Sequence, residues 1–327
     1  MTMRLSEKEA VVLASCDLRA DAPLSLLKKE TGLREHSIRY ALRSLMQKDV
    51  IKPVALINTY KLGYANYNFY FSLCSQKKAI KASLLKALLK MPAVSWFAEF
   101  AGDYQYGMTI TASTPVRAVQ IIQELSRQYQ GIIFEKSFSL QFSVTLYSRR
   151  YLSHKKFSTV AVTLDSSNNV VAVDDLDKKI LEGLSTFGGL SHRQLAIKLN
   201  VPLSTLELRV KKLTDAGVLA GYVYAVNPTH YGQRIFNILI FAKGISAPLH
   251  NALKHFCNEH DHVIYLIECL GSWDYVVGVE VEHAEEVTSI VQDLYDQFSN
   301  YINQIKLLSK FKDVKTGWFK SSLDEVI

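Results

Sequence analysis

Little in this chain forces it into an unusual class of protein. Cysteine is sparse: Cys16, Cys74, Cys257 and Cys269 are the four in 327 residues, too scattered for a disulfide frame or a zinc knuckle, and they suit a reducing cytoplasm. Long apolar runs are missing. Stretches such as 235–242 fall far short of the ~20 residues a membrane helix needs, so no membrane partner is expected. The opening MTMRLSEKEA is polar and has no apolar core of a signal peptide. No P-loop, dinucleotide fingerprint, nucleophile elbow or paired-carboxylate motif occurs, so no catalytic residue, no cofactor and no resident metal is expected.

What is present is ordinary globular material, 48% hydrophobic and 21% charged. The length suits two to four compact domains. The net charge of +7 permits a polyanionic partner without requiring one.

The informative feature is an internal repeat. Sliding the chain by 168 residues lays Val12-Leu13 on Ile180-Leu181, Leu27 on Leu195, Ile38 on Leu206, Leu45 on Leu213 and Val50-Ile51 on Val218-Leu219. One inserted residue makes the offset 169, and Asn58 and Gly63 then meet Asn227 and Gly232, while Gly102-Asp103-Tyr104-Gln105-Tyr106 meets Gly271-Ser272-Trp273-Asp274-Tyr275. A whole series of periods matching in one order points to tandem duplication. Between the copies lie Arg149, Arg150, Lys155 and Lys156, a β-like run over 159–164, and the turn Asp165-Ser166-Ser167-Asn168-Asn169, which puts the unit boundary near Asn168.

Each copy starts as three short helices. In the second, residues 174–184 place Leu176, Ile180, Leu181 and Leu184 at helical spacing, Ser191 caps a helix burying Leu195 and Ala196, and Ser204 is expected to cap a third burying Leu206, Val210 and Leu213. A β-rich stretch over 218–226 follows. This is the order of a winged helix-turn-helix. The third helices are basic outward: Arg34, His36, Ser37, Arg39, Tyr40 and Arg43 in the first copy, and Ser204, Thr205, Arg209, Lys211 and Lys212 in the second. Guanidinium and ammonium groups so placed neutralise phosphates, and arginine also reads guanine edges. Double-stranded DNA is therefore the expected partner. A basic face on one such helix alone is more often only solvated surface.

The rest of each copy reads βαββαβ, the ferredoxin-like order: strands and helices at 67–75, 79–91, 94–101, 106–111, 115–130 and 132–146, then at 233–243, 248–259, 263–270, 275–282, 284–300 and 302–312. Helices cover one face of such a sheet. The other face reads as apolar and is expected to pack on another copy. The expected fold is α+β, with two winged helix-turn-helix domains (1–60 and 174–228), two ferredoxin-like sensor domains (61–150 and 229–327) and a linker (151–173).

Together with Asp177, Ile180, Leu181, Leu195, Ala196, Ser204-Thr205, Arg209, Val210, Leu213, Gly217-Val218, Gly221-Tyr222, Asn227-Pro228 and Gly232, the hairpin Gly271-x-Trp273-Asp274-Tyr275 makes the chain resemble the Lrp/AsnC, or feast/famine, regulators. The first copy keeps Gly32, Leu33, Leu45, Val50-Ile51, Leu62-Gly63 and Gly102-Asp103-Tyr104. The resemblance implies a dimeric DNA-binding regulator whose sensor domains hold a small effector, often an amino acid, near the hairpin. The residues this assigns are Gly102, Asp103 and Tyr104 in one copy and Gly271, Ser272, Trp273, Asp274 and Tyr275 in the other. With two units in one chain, it implies either an intramolecular pseudo-dimer or pairing between chains as a homo-oligomer. Asp274 could receive an effector ammonium or brace the hairpin. Gln105 in the first copy cannot supply that charge, so two unlike pockets are expected.

Two other constellations stand beside these. His250, His255, Cys257, His260 and His262 cluster in sequence, but no histidine pair has the spacing of a helical zinc site. Siroheme decarboxylases share the resembled architecture. A cavity lined by His and Arg would favour that alternative, with His230, Tyr231 and Arg234 the candidates in the second copy and Lys61, Leu62 and Ala65 in the first. A sensor or scaffold with worn DNA-binding heads is a third reading.

Overall fold

The computed structural model describes residues 3–74, 78–129, 132–155, 157, 161–166, 169–244, 246–317 and 319–323, leaving aside the side chain of residue 135. The expected strand end at Ser75, helix end at Gln130, linker Lys156, β-like Thr159 and Val160, and turn residues Ser167 and Asn168 lie outside them.

The first unit runs α1 (Glu7–Cys16), α2 (Leu24–Thr31), α3 (Glu35–Gln47), β1 (Ile51–Ile57), β2 (Ala65–Leu73), α4 (Lys78–Lys90), β3 (Val94–Ala101), β4 (Tyr106–Ala112), α5 (Pro115–Gln128) and β5 (Ile133–Leu146). Strand β6 (Val162–Asp165) follows. The second unit runs α6 (Asp175–Thr186), α7 (His192–Leu199), α8 (Leu203–Asp215), β7 (Leu219–Val226), β8 (Arg234–Ala242), α9 (Ala247–Glu259), β9 (Val263–Gly271), β10 (Tyr275–Val281), α10 (Ala284–Phe298) and β11 (Ile302–Thr316).

Each unit begins on a capping box. Ser6 accepts from the Glu9 N–H and Glu9 returns to the Ser6 N–H; Asp174 and Asp177 do the same ahead of α6. The apolar faces that follow close two small head cores. Neither core is complete within its own unit. Ala55 and Ile57 of β1 pack in the second head, while Tyr224 and Tyr231 of the second unit pack in the first. The reason is that β1 and β7 pair antiparallel, with Val54 opposite Val223 at the centre of the ribbon. Each wing strand thus lines the other unit's head.

The sensor halves are joined more deeply. Each ferredoxin-like sheet leaves an edge, β3 in the first unit and β9 in the second. Strand β11 pairs with β3, and β5 with β9, so the order β2-β4-β3-β11-β8-β10-β9-β5 closes as β5 returns to β2. Closure removes the edges that would otherwise invite another chain. Helices α4 and α5 cover the outside of the first sheet, burying Leu84, Leu88, Ile121 and Leu125 with Phe69 and Phe97; α9 and α10 cover the second. The expected pairing of sheet faces therefore occurs inside one chain. The expected apolar character of those inner faces is corrected. One part of the interior is aromatic, with Tyr70, Phe100, Tyr104 and Trp273, but Asn68, Thr109, Thr111, Gln141, Asn237 and Lys310 are also buried there.

The segment between units is threaded over this body. Strand β6 pairs with β5, and the Val171 N–H donates to the Lys61 carbonyl at 2.7 Å. Just after β5, Arg149 ties the first head to the second sensor sheet. Its guanidinium grips Glu280 of β10 through Nε and Nη2, both at 2.9 Å, and reaches Asp17 at the end of α1 at 3.3 Å. The Tyr151 hydroxyl donates to the same Glu280 at 2.5 Å. Burial pushes the Asp17 carboxyl up to about 6, against the pull of Arg149. An acid whose native value lies above its unfolded one favours folding most below the unfolded value, and that contribution is lost as pH rises through the native value. Asp17→Asn, a neutral near-isostere, should therefore be more stable than the parent at about pH 7.5, by at most roughly 2–3 kcal/mol, and the gain should vanish by about pH 4. Urea unfolding at both pH values measures this; a variant less stable at the higher pH would mean that the Arg149 contact outweighs burial.

Candidate nucleic-acid interface

Helix α3 turns Ile38, Ala41 and Leu45 into the first head and leaves Arg34, His36, Arg39, Tyr40 and Arg43 exposed, with Ser37 half-buried. Arg34 is the residue just before the helix. Tyr40 is 76% exposed, too open to be a packing residue. Glu35 reaches Arg39 at 3.7 Å on the helix surface; among the described residues Arg34 and Arg43 have no carboxylate partner. Lys28 and Lys29 of α2 are exposed nearby in sequence. This face sets arginines, of which Arg39 alone meets a carboxylate among the described residues, around one aromatic ring, which suits phosphate contact and base-edge reading.

Helix α8 presents a different face. Ser204 lies in the first turn; Pro202, not Ser204, occupies the capping place and supplies no side-chain bond. Thr205 is half-buried, while Glu207, Leu208, Lys211 and Lys212 are exposed. Arg209 does not project freely. Its Nη1 bonds Asp177 Oδ1 at 3.0 Å and also Asp174, the capping pair of α6. Asp177 is fully buried, and Lys212 approaches it at 3.5 Å. Lys211 is paired with Asp215 at 2.7 Å. In this structure Arg209 clamps the third helix to the first rather than projecting freely toward a duplex. The first head solves the same problem with a lysine, Glu9 accepting from Ser44 and Lys48. The capping acids lie more than thirty residues before Arg209 and on another helix, so nothing in the local sequence of α8 marked the clamp.

The hairpins serve the barrel seam. Gly102 and Gly271 have φ of +120° and +146°, and a Cβ would come within 2.9 Å of the Leu307 carbonyl oxygen in one case and 2.5 Å of the Phe138 carbonyl oxygen in the other. The partner strand passes directly over each glycine. Asp103 pairs with Lys306 at 2.6 Å, and Ser272 Oγ accepts from the Phe138 N–H at 3.1 Å. Tyr104, Trp273 and Tyr275 are buried, the first reaching Ser137 Oγ at 2.6 Å. The Asp274 carboxylate accepts from the Ala242 N–H at 2.7 Å, and Gln105 Oε1 accepts from the equivalent Leu73 N–H at 3.2 Å. Both side chains brace their hairpins through the same kind of backbone contact.

The remaining candidates scatter. His250 lies 3.4 Å from Glu268, and His262 Nδ1 lies 2.7 Å from the Glu280 carbonyl oxygen. Among the described residues no three metal-ligating side chains gather. His230 is exposed beside the Lys48 carbonyl, Tyr231 is buried against Tyr151, and Arg234 is exposed at the start of β8. None of the three lines the cavity inside the barrel, whose lining holds neither His nor Arg among the described residues. That cavity, about 210 Å³, is bordered by Asn66, Asn68, Thr109, Thr111, Lys310 and Asp313, none singled out from sequence. The alternation of Asn66, Asn68 and Tyr70 along β2 was the available signal.

Known proteins resemble the chain at two levels. Residues 173–220 match the family of winged helix-turn-helix DNA-binding domains. An uncharacterised HTH-type transcriptional regulator of Pyrococcus furiosus is 31% identical over 123 residues, 37% of this chain and 81% of the relative. The HTH-type transcriptional regulator Ptr1 of Methanocaldococcus jannaschii is 31% identical over 148 residues, 44% of this chain and 96% of its own length. Such relatives correspond to one unit of the two. Over the whole chain, the crystal structure of the siroheme decarboxylase NirDL superposes with a TM-score of 0.61 at 12% identity, covering 98% of this chain and 96% of that one, a likeness of fold.

The geometry separates the two arginine types experimentally. Arg39→Ala and Arg43→Ala should each weaken DNA binding and flatten its log–log salt slope by about one unit. Arg209→Ala should lower the thermal midpoint, because it strips the buried Asp177 of a cation, and leave the slope unchanged. Equal slope losses for all three would return Arg209 to the DNA face.

Proposed function

From the premise that the chain belongs to the Lrp/AsnC-like HTH-type transcriptional regulators, we propose that it binds duplex DNA sequence-specifically as one two-headed molecule reading two unequal half-sites, with binding tuned by a small effector in the sensor half. The observation that carries this reading is the pair of solvent-facing third helices joined through a single β1–β7 ribbon. A covalent pair of heads meets its second half-site at high effective concentration.

The unequal chemistry of the heads supports unequal half-sites. Helix α3 offers Arg34, Arg39 and Arg43, whereas α8 offers Ser204, Thr205, Lys211 and Lys212 beside exposed Leu203 and Leu208. Arginines favour guanine, and apolar side chains favour thymine methyls. Selection of bound sequences from a random duplex pool should return an operator with two different halves. A strict palindrome of equal halves would count against the reading. In this reading no residue carries a catalytic step; a spectral shift and released carbon dioxide on incubation with siroheme would replace it with the decarboxylase alternative.

A further inference from the structure

The two units carry the same helical layer with opposite charge. Helices α4 and α5 cover one outer side of the closed barrel, and α9 and α10 cover the other. On α4 and α5 stand six cations, Lys78, Lys81, Lys86, Lys90, Arg117 and Arg127, against a single carboxylate, Glu124. On α9 and α10 stand five carboxylates, Glu259, Glu285, Glu286, Asp293 and Asp296, against a single lysine, Lys254.

The reversal falls at equivalent places. The 169-residue offset lays Lys90 on Glu259, Arg117 on Glu286 and Arg127 on Asp296. The inward faces kept their character meanwhile: Leu84, Leu88, Ile121 and Leu125 are buried at the places where Leu253, Cys257, Ile290 and Leu294 are buried in the second unit. Packing on the sheet therefore does not account for the change of sign. One charged helix face is usually solvated surface. Two copies of one face, reversed position by position, form a complementary pair. The basic layer also leaves Val116 66% and Val119 46% exposed, and open apolar side chains among charges suit a docked protein better than bare solvent.

We propose that the basic layer of one molecule docks on the acidic layer of a second copy, so that chains join in a directional row through their sensor halves. The contact is heterologous, because the two partners use different patches. Two like layers repel, which disfavours a symmetric pair built on either. The layers lie on opposite sides of the barrel, so each docking leaves another layer open and the row grows past two chains. A polyanion or an anionic membrane would account for the basic layer only, whereas a second copy accounts for both. Neither third helix takes part, so the proposal goes beyond the DNA-binding reading and stands without it. Helices of 13 residues such as α4 and α9 are about 20 Å long, and two side by side span about 20 Å, so each layer offers roughly 400 Å². Both sides together fall below the ~1,200 Å² of a stable complex, so the association is weak and salt-sensitive.

Sedimentation of the full chain over a concentration series tests it. The weight-average mass should climb past that of two chains in about 0.05 M salt and fall toward one chain in about 1 M salt, where the Debye length shrinks to about 3 Å. One variant, Lys78→Glu, Lys86→Glu, Lys90→Glu and Arg127→Glu, turns the basic layer acidic. Another, Glu259→Lys, Glu285→Lys and Asp296→Lys, turns the acidic layer basic. All of these side chains are exposed, so both variants should melt as the parent does. Each alone should remain a single chain in low salt, and an equimolar mixture of the two should associate again. A parent that stays single at every concentration, association unchanged in either variant, or a mixture that stays apart would overturn the proposal. Should the parent stay single while the first variant alone loses binding to anionic vesicles, the basic layer serves a lipid surface and the proposal falls.

Discussion

A ferredoxin-like sheet ends in two edge strands whose unpaired N–H and C=O groups invite another strand, and its helices leave one face uncovered. In this chain both are satisfied by the same contact. Strands β5 and β11 run past their own sheets, pair with β9 and β3 of the other unit, and close the ring. The contact requires backbone to pass over backbone at the hairpins, and Gly102 and Gly271 make room for it. Once the ring is closed, the β1–β7 ribbon, the shared head cores and the threading of the connecting segment all join one unit to the other. The wing strands complete each other's heads, and the segments that follow β5 and β11 return to brace them: Tyr151 and Leu152 pack with the first head, and Phe319 and Leu323 with the second.

Covalent fusion then allows the two sides to differ while the scaffold stays paired. At one junction the chain places Arg149, Glu280 and Asp17; the repeat equivalent of Glu280 is Thr111, which faces the chamber. On one side of the interior Tyr265 fills the space over Gly278, and on the other Thr109 borders open volume. One third helix pairs Arg39 with Glu35 and leaves Arg34 and Arg43 without a carboxylate among the described residues, while the cations of the other are largely engaged by Asp174, Asp177 and Asp215. Two separate identical chains cannot hold such differences in a symmetric pair. The asymmetry thus runs through the head, the junction and the interior together.

Periodicity carried the element order. The 168-then-169 offset places equivalent residues at equivalent sites even where identity has gone, as with Leu307 and Phe138 over the two glycines. Partnership across distance was not readable in the same way. The outward basic pattern of α8 promised a free Arg209, but whether an arginine is free depends on carboxylates from α6. Asp274 and Gln105 looked unlike because charge separates them; in the hairpin both act as hydrogen-bond acceptors for one backbone N–H. The inner sheet faces read as apolar in sequence, yet Asn66 and Asn68, at alternate places on β2, point to the same side and line the chamber.

The central claim is that the two units pair with each other inside one chain. Val54 and Val223 sit opposite each other at the middle of the ribbon, and cysteines at such a pair are close enough to bond after slight adjustment. The variant Val54→Cys with Val223→Cys, oxidised in dilute solution and run without reductant, should migrate as a single chain made compact by an internal disulfide, with each single variant unaffected. Covalent dimers in place of that species would mean that the ribbon forms between chains, and would contradict the account.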